Sequence, residues 1–481
     1  MLFNSLEFII FLPIVFAMYW IMGRSDKKLQ LQNAFLVLAS YIFYGWWDWR
    51  FLGLIAFSTL VDFYVGKAIH SEDSKLRKKL FLAVSLFTNL GLLAYFKYAN
   101  FFIESWVDAW AGVGVETNVS SLYIILPVGI SFYTFQTLSY SIDIYREKLK
   151  PTKDPIAFAA FVSFFPQLVA GPIERASKLL PQIERTRTFD KGLAISGLRL
   201  MLWGMFKKVV VADSCAKLAD TIFDSPESFS GPTLMLGVLY FAFQIYGDFS
   251  GYSDIAIGTG RLFGIRLSTN FKFPYFSRDI GEFWRRWHIS LSTWFRDYLY
   301  IPLGGSRGTK LNMLRNVSVI FIVSGFWHGA NWTFVMWGAI HAALFIPLVL
   351  LGRNRKYTSD VVAEGHYLPK IKEVFSMAST FAMVCFAWIF FRADSISGAF
   401  MYISGFVELP SPEKPVTLLV YSVFFWISVM IIVDWFQRSG EIPKWWLSSK
   451  ALPIRWFAYA ICTWLCLKNL QSEASFIYFQ F

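Results

Sequence analysis

The sequence predicts an all-α polytopic membrane protein, and two observations lead to that prediction. Hydrophobic residues make up 56% of the 481 residues and charged residues only 16%, whereas an average soluble domain has about 45–50% and about 25%. Apolar runs of about 20 residues, long enough to cross a bilayer as a helix, recur along nearly the whole chain. We therefore expect about 11–12 transmembrane helices, together with re-entrant and interfacial helices.

The candidate spans follow one another along the chain. They cover residues 5–22, 33–45, 50–66, 80–98, 122–144, 193–212, 231–247, 313–327, 331–351, 374–392, 417–435 and 452–468. The loops between them alternate in charge: 67–79 and 261–315 are basic, whereas 99–121 has no Lys or Arg. Because basic loops stay in the cytoplasm, the pattern predicts extracytoplasmic N- and C-termini. The first run lacks a basic start and a cleavage site, so we expect a retained span rather than a signal peptide.

The formal net charge of +12 would suit a protein that binds nucleic acid. Here the basic residues lie in the predicted cytoplasmic loops, so the charge indicates orientation and we expect no nucleic-acid partner. The four cysteines have neither disulfide nor metal-ligand spacing, and no metal site is predicted. We expect one membrane-embedded domain over residues 1–481, with a motif core at about 95–345 and C-terminal spans with an extracytoplasmic aromatic tail in 374–481.

Two segments do not fit as spans. The stretch "IAFAAFVSFFPQLVAGP" (156–172) is short, contains Pro166 and has basic loops on both sides, which predicts a re-entrant segment. Residues 281–304 are too charged to face lipid and predict one amphipathic helix at the cytoplasmic face. Irregular backbone at membrane depth is tolerated only inside protein or beside a water-filled cavity. Both segments therefore predict a cavity.

The stretch "GFWHGANW" (325–332) interrupts two apolar runs with an ionisable residue, His328, between Gly325 and Gly329. Ionisable groups within a membrane are costly, and those that occur usually mark function. Histidine also suits proton transfer near neutral pH. We therefore predict that His328 is catalytic; the alternative is a packing histidine bonded to a backbone carbonyl.

A second candidate is His288, in "FWRRWHIS". On one continuous helix, Glu282 would face Arg285 and Arg286. The two arginines would suit the phosphates of an anionic cofactor, but a charged interfacial helix explains the same residues equally well. The sequence has no P-loop, no dinucleotide-binding glycine motif, no nucleophile elbow and no zinc-protease motif.

Other polar residues are predicted to have structural roles. The run "YGDFSGYSD" (246–254) places Asp248 and Asp254 near each other and predicts a buried polar network that shapes a cavity. We expect His341 to be a hydrogen-bonded interior residue, and His70 and His366 to be solvated in loops.

The run "EFWRRWHISLSTWFRDYLYIPLGG" (282–305), together with "WHGANWTFVMWGAIHA" (327–342), resembles the membrane-bound O-acyltransferase family. Within it the chain looks most like the bacterial alginate O-acetyltransferase branch. Further matches are "YFKYANF" (95–101), "LPVGISFYTFQTLSY" (126–140), "LVAGPIER" (168–175) and "DFSGYSDIAIG" (248–258). The resemblance implies a central funnel through the membrane, with the catalytic histidine, His328, at its neck and His288 as the second polar position.

The resemblance also implies the chemistry. The acyl donor, acetyl-CoA, is expected on the cytoplasmic side of a bacterial inner membrane and the acceptor outside, with no bound cofactor. His328 would act as general base on an acceptor hydroxyl. Arg285 and Arg286 would contact the donor, and Trp327 and Asn331 are also predicted to contact substrate, Asn331 by orienting the ring or the acyl carbonyl.

The sequence ends "SEASFIYFQF", in which Tyr478 carries the only hydroxyl of the final six residues. This ending resembles the aromatic C-terminal motif of the acyltransferase branch. The resemblance implies that Tyr478 accepts the acyl group and that a periplasmic esterase-like acetyltransferase partner moves it to a polysaccharide. The alternative is an aromatic anchor at the membrane surface. Two other functions remain open: transfer of another acyl group, such as D-alanine to teichoic acid, and transport of polysaccharide without chemistry.

Overall fold

The computed structural model describes residues 1–23, 28–117, 119–169, 171–358, 361–414, 420–440, 448–470 and 477. Throughout these ranges the chain forms α-helices joined by loops and by short 3₁₀ and π-helical turns, with no strand. The all-α prediction is therefore confirmed.

The first half of the chain contains eleven of the α-helices described. They are α1 (Leu6–Met22), α2 (Lys28–Asp48), α3 (Leu52–Ser71), α4 (Lys75–Leu93), α5 (Ala99–Ala111), α6 (Ile130–Tyr145), α7 (Pro155–Ser163), α8 (Phe165–Leu168), α9 (Ala176–Ile183), α10 (Lys191–Met205) and α11 (Asp213–Asp224). A π-helical turn, Phe206–Ala212, joins α10 to α11.

The second half contains nine more among the described residues. They are α12 (Gly231–Leu262), α13 (Ile280–Arg286), α14 (Ile289–Phe295), α15 (Lys310–His328), α16 (Trp332–Leu350), α17 (Ile371–Arg392), α18 (Ile396–Ser404), α19 (Tyr421–Gln437) and α20 (Leu452–Lys468). Another π-helical turn, Arg296–Tyr300, follows α14.

Within the described ranges, four helical stretches are long and apolar enough to cross a membrane: Lys28–Ser71, Lys75–Ala111, Trp332–Leu350 and Ile371–Arg392. Shorter apolar helices occupy Leu6–Met22, Ile396–Val407 and Tyr421–Gln437. Every predicted span overlaps a helix of the structure. The number of crossings and their orientation stay predictions.

The helix α12 is longer than the sequence pattern suggests. The predicted span ends at residue 247, but α12, with 32 residues in all, continues to Leu262, so "YGDFSGYSD" is helical. Glycine disfavours a helix interior, yet a Cβ at Gly251 would lie only 2.7 Å from the backbone oxygen of Gly204. Gly251 therefore serves close helix packing rather than a chain turn.

The predicted re-entrant stretch 156–172 is indeed broken into two short helices, α7 and α8. The Asp154 carboxylate caps α7 by accepting the N–H groups of Ile156 (2.8 Å) and Ala157 (3.2 Å). Pro166 stands in the first turn of α8, where its missing N–H costs no helical bond.

The chain divides into two compact units. One consists of Met1–Arg199 and Ala256–Ser268, the other of Leu200–Ile255 and Thr269–Phe481. The boundaries fall within α10 and α12, so each unit combines segments that are distant in sequence. The single-domain prediction stays a prediction.

A buried carboxylate helps hold the first unit together. Asp62 of α3 is fully buried and accepts hydrogen bonds from Ser85 Oγ, Asn89 Nδ2 (2.8 Å) and Ser141 Oγ (2.9 Å). These donors belong to α4 and α6, so one acidic side chain joins three helices. A buried charge is tolerated when hydrogen bonds replace its lost hydration.

Candidate active site

In the second unit, the stretch 325–332 forms the tight turn of a helical hairpin between α15 and α16. A Cβ at Gly325 would lie 2.2 Å from the backbone oxygen of Phe334, and one at Gly338 would lie 2.3 Å from that of Phe321. Only glycine allows backbones to approach so closely. The glycines therefore hold the two helices together, and His328 is the last residue of α15.

Asn331 starts the second helix of the hairpin. Its Oδ1 accepts the N–H of Thr333 at 3.0 Å, the usual N-cap bond. Its Nδ2 donates to the backbone oxygen of Asp394 at 3.0 Å, which ties the hairpin to the loop between α17 and α18. The structure thus gives Asn331 a positioning role in the turn; its predicted contact with substrate stays a prediction.

His328 is buried in an aromatic environment. Its ring centroid lies 5.1 Å from that of Trp327, 5.1 Å from that of Trp337 and 5.4 Å from that of Phe391. Edge-to-face packing of this kind fixes the orientation of the imidazole. Trp327, a predicted substrate contact, therefore lies directly beside the predicted base.

A small cavity lies against His328, and the volume that the centre of a water molecule can occupy in it is about 10 Å³. This corresponds to room for roughly one water molecule. Its wall consists of Ile245, Phe249, Trp287, His328, Trp388, Phe391 and Ile477. Within that wall, His328 is the residue able to exchange a proton near neutral pH.

The structure corrects the prediction of one helix over 281–304. Helix α13 ends at Arg286, α14 begins at Ile289, and His288 between them has φ 42° and ψ 54°. This left-handed conformation is strained for a residue with a Cβ. It persists because Asn270 holds the following residues: its backbone oxygen accepts Ile289 N–H at 2.9 Å, and its Oδ1 accepts Ser290 N–H at 3.2 Å.

Asn270 also determines which nitrogen of His288 carries a proton. A backbone N–H can only donate, so the atom bonded to Ser290 N–H must be the amide oxygen of Asn270. His288 Nδ1 lies 3.2 Å from that same oxygen and must therefore donate to it. The other nitrogen, Nε2, is buried and accepts no hydrogen bond from the described residues. In the neutral ring, Nε2 thus carries the free lone pair.

The fold brings the two predicted histidines together. The ring centroids of His288 and His328 lie 6.4 Å apart, and Trp327 lies 6.1 Å from His288. Phe249 packs edge-on against His288 at 4.7 Å. Both histidines are buried, so they share one aromatic site in which a proton transfer is shielded from bulk water.

Protein groups already bind the two predicted donor-binding arginines. Arg286 forms a 2.8 Å ion pair with Glu282, as the i,i+4 spacing predicts. Arg285 donates to the backbone oxygens of Asn354 (3.0 Å) and Tyr357 (3.2 Å), in the loop after α16. One nitrogen of Arg285, Nη2, is buried and donates to none of the described residues. Their role toward a donor stays a prediction.

A larger groove, of about 360 Å³, lies away from the histidines. It is bordered by Arg278, Asp279, Ile280, Leu344, Leu348, Lys372, Phe375, Ser376, Ser379, Thr380 and Met383. None of the predicted site residues that the structure describes lines it. The buried histidine pair, not this groove, is therefore the candidate site.

The predicted polar network around Asp248 and Asp254 is confirmed, and its partners are lysines that the sequence analysis missed. Lys208 Nζ lies 2.9 Å from Asp248, and Lys207 Nζ lies 2.6 Å from Asp254. Both lysines belong to the π-helical turn after α10. The sequence does contain a signal for these lysines, since "FKKVVV" places two charged residues in an apolar run.

The remaining sequence predictions have different outcomes. His341 is buried and accepts a hydrogen bond from Trp284 Nε1 at 3.2 Å, which confirms it as an interior histidine. His70 and His366 are exposed, as predicted. Tyr478 lies outside the described residues; the preceding residue, Ile477, is described.

The fold and the buried histidine pair define a class of protein. The model of the membrane-bound O-acyltransferase family matches residues 8–359. The chain belongs to this family and is a polytopic membrane O-acyltransferase. The recognition made from the sequence is confirmed, and the alternative of a transporter without chemistry is set aside.

Comparison with individual relatives gives a more specific similarity than the family model. The chain is 41% identical over 410 residues to the probable alginate O-acetylase AlgI of Azotobacter vinelandii, covering 84% of this chain and 78% of that protein. It is 37% identical over 437 residues to the peptidoglycan O-acetyltransferase of Helicobacter pylori, covering 85% and 80%. It is 29% identical over 314 residues to the teichoic acid D-alanyltransferase of Streptococcus thermophilus, covering 62% and 72%.

Proposed function

We propose that this protein is a membrane O-acetyltransferase of the bacterial inner membrane. It takes acetyl groups from acetyl-CoA on the cytoplasmic side, passes them through a membrane tunnel, and delivers them outside for O-acetylation of an exopolysaccharide such as alginate. The observation that carries the proposal is the buried pair of His288 and His328, 6.4 Å apart. Acetyl transfer is favoured because relatives named as O-acetylases or O-acetyltransferases match at 37–41% identity.

In the proposed reaction, His328 is the general base. It removes the proton of an acceptor hydroxyl as the oxygen attacks the acetyl carbonyl of the thioester. The tetrahedral intermediate then collapses: the C–S bond breaks, and the CoA thiolate leaves with the proton carried by His328. His288, whose Nε2 carries a free lone pair, is the second catalytic residue beside this base. The buried aromatic surroundings keep bulk water away from the acetyl group.

We further propose that Tyr478 is the first acceptor. The phenol of an unperturbed tyrosine has a pKa of about 10, so a tyrosine ester is more reactive than a sugar ester and can pass acetyl onward. A periplasmic esterase-like partner then moves the acetyl group to the polysaccharide. One observation supports this route: Ile477, the residue before Tyr478, lines the cavity beside His328.

The test is His328→Ala in a strain that lacks the chromosomal gene. We expect polymer acetylation to be lost while the protein still reaches the membrane, because no other wall residue that the structure describes can act as the base. Ester-linked acetate is measured on secreted polysaccharide and on peptidoglycan, and His366→Ala, at an exposed loop position, is the control. Substantial acetylation by the His328 variant would refute the proposed chemistry.

A second candidate is transfer of D-alanine to teichoic acid, because the Streptococcus thermophilus relative carries that activity in its name. It is less favoured, since that match is 29% identical and covers 62% of this chain. Purified protein supplied separately with labelled acetyl-CoA and with a D-alanyl carrier protein distinguishes the two donors. Label transfer from the D-alanyl carrier alone would replace acetyl-CoA in the proposal.

A further inference from the structure

Asp248, in the second unit, has a buried carboxylate that the proposed chemistry does not use. Its Oδ1 lies 2.9 Å from Lys208 Nζ, and the same nitrogen lies 2.8 Å from Asp213 Oδ1. All three side chains are buried. One lysine therefore faces two carboxylates, and the second oxygen of Asp248 remains available for another donor.

That second oxygen binds a residue far along the chain. Asp248 Oδ2 accepts the backbone N–H of Ile477 at 2.7 Å, across 229 residues of sequence. Ile477 is only 2% exposed. Hydrogen bonds to an ionised acceptor are shorter and stronger than those between neutral groups. The contact therefore holds the chain at the residue that precedes Tyr478.

The same face of α12 lines the histidine cavity. Ile245 and Phe249 are one helical turn apart, Asp248 lies beside Phe249 on that turn, and the cavity wall contains Ile245, Phe249 and Ile477 together with His328. Asp248 thus binds the backbone of the residue whose side chain completes the wall beside the predicted base. A carboxylate needed only to neutralise Lys208 would not require this second bond, since Asp213 already pairs with the lysine.

We propose that Asp248 is a positioning residue that latches Ile477 against the His328 cavity. Lys208 keeps the carboxylate ionised and oriented, and the carboxylate holds Ile477 N–H. The consequence for catalysis, that the latch sets where Tyr478 meets the acetyl group, rests on the proposed function. The bond between Asp248 and Ile477 does not depend on the proposed function.

The first test measures access to position 477 in detergent-purified full-length protein. Ile477→Cys is introduced alone, with Asp248→Asn, and with Asp213→Asn, and its reaction with a hydrophilic maleimide is followed by intact mass. Asn offers one oxygen where Asp offers two, so it cannot serve both Lys208 and Ile477. We expect labelling about tenfold faster or more in the Asp248 variant, from loss of a charge-assisted bond.

Asp213→Asn is the matched control, because it disturbs the same lysine without touching Ile477. We expect its labelling to stay as slow as in the parent, and protein without the introduced cysteine gives the background of the four native cysteines. Equal labelling in all three proteins overturns the latch. Equal acceleration in both Asn variants also overturns it, because the cluster would then serve only stability.

A second test leaves the charged cluster intact. Ile477→Pro removes the backbone N–H, whereas Ile477→Val keeps it and trims the side chain by one methylene. The latch predicts that the proline variant loses much more turnover than the valine variant, with an unchanged KM for acetyl-CoA. Equal loss in the two variants contradicts a role for the N–H. Because labelling requires no activity, the latch can fail or stand independently of the acetyl-transfer proposal.

Discussion

At the scale of single residues, proton placement at His288 depends on Asn270. The amide oxygen of Asn270 is shared between His288 Nδ1, Ser290 N–H and Ser290 Oγ. Its nitrogen donates to Ser253 Oγ at 3.2 Å, so both ends of the amide are held. This arrangement keeps Nε2 of His288 as the acceptor, because the opposite tautomer would leave two acceptors facing each other.

We therefore predict that Asn270→Ala lowers turnover without abolishing expression. General acid–base groups contribute about 10²–10⁴-fold to rate, and a misoriented group loses part of that. We expect at least a roughly tenfold loss of turnover. Ser290→Ala is the control, since it removes one hydroxyl contact but keeps the N–H that orients the amide. An Asn270 variant no slower than the Ser290 variant would contradict the proposed role of Asn270.

At the scale of elements, the α15–α16 hairpin places His328 through glycine contacts. Gly338 meets the backbone of α15 so closely that any side chain must separate the helices. Overpacking of this kind destabilises by about 1–3 kcal/mol. It also moves His328 relative to its aromatic neighbours, because the histidine is the last residue of α15.

We predict that Gly338→Ala lowers both thermal stability in detergent and acetyl transfer. Gly91→Ala is the matched control, because nothing lies within 4 Å of a Cβ at that helical position. Alanine there is expected to stabilise by about 0.5–1 kcal/mol, as it favours the helix. Fluorescence-detected size exclusion after heating measures both variants. Equal stability of the two proteins would show that the hairpin contact is not required.

The short helix α13 carries the predicted donor entrance. Arg286 is paired with Glu282, and Arg285 holds the loop after α16 through two carbonyls. We predict that replacing both arginines by alanine raises the KM for acetyl-CoA by a larger factor than it lowers the amount of protein in the membrane. The reason is that the protein loses the positive charge that attracts a phosphate-bearing donor.

An Arg285→Lys, Arg286→Lys variant separates charge from geometry in this element. Lysine keeps the positive charge but not the planar fork that binds two carbonyls. Partial recovery of KM would support attraction of an anionic donor. A KM that is unchanged in the alanine variant would show that the arginines only anchor the helix.

At the scale of the whole molecule, the proposed relay connects the cytoplasmic donor to an acceptor outside. Tyr478→Phe keeps the aromatic ring and removes only the oxygen. We predict that it prevents both polymer acetylation and the gain of one acetyl mass when purified protein is incubated with acetyl-CoA. Phe479→Leu, which keeps the Tyr478 hydroxyl, is the control. Normal polymer acetylation by Tyr478→Phe would mean that the residue is an anchor and that acetyl passes directly to the acceptor.

The sequence by itself determined the helical membrane class and the position of the helices that overlap the predicted spans, and it singled out His328 as the predicted base. These features depend on local properties: apolar length decides a span, and an ionisable group in an apolar run is conspicuous because burying it is costly. The Glu282–Arg286 pair was also predictable, since i,i+4 neighbours meet on any helix. The aromatic surroundings of His328 followed in part from the tryptophans beside it in the sequence.

Only the tertiary structure decided how the site is assembled. The helix break at His288 depends on Asn270, 18 residues earlier, and a local pattern of charges cannot reveal that a distant amide will stabilise a left-handed residue. The continuation of α12 through its glycines depends on close packing against a neighbouring helix. Lys208 pairs with Asp248 only because the turn after α10 packs against α12. Asp248 binds Ile477, which lies 229 residues further along the chain. Contacts between distant residues depend on the packing of the whole chain, which periodicity and composition do not encode.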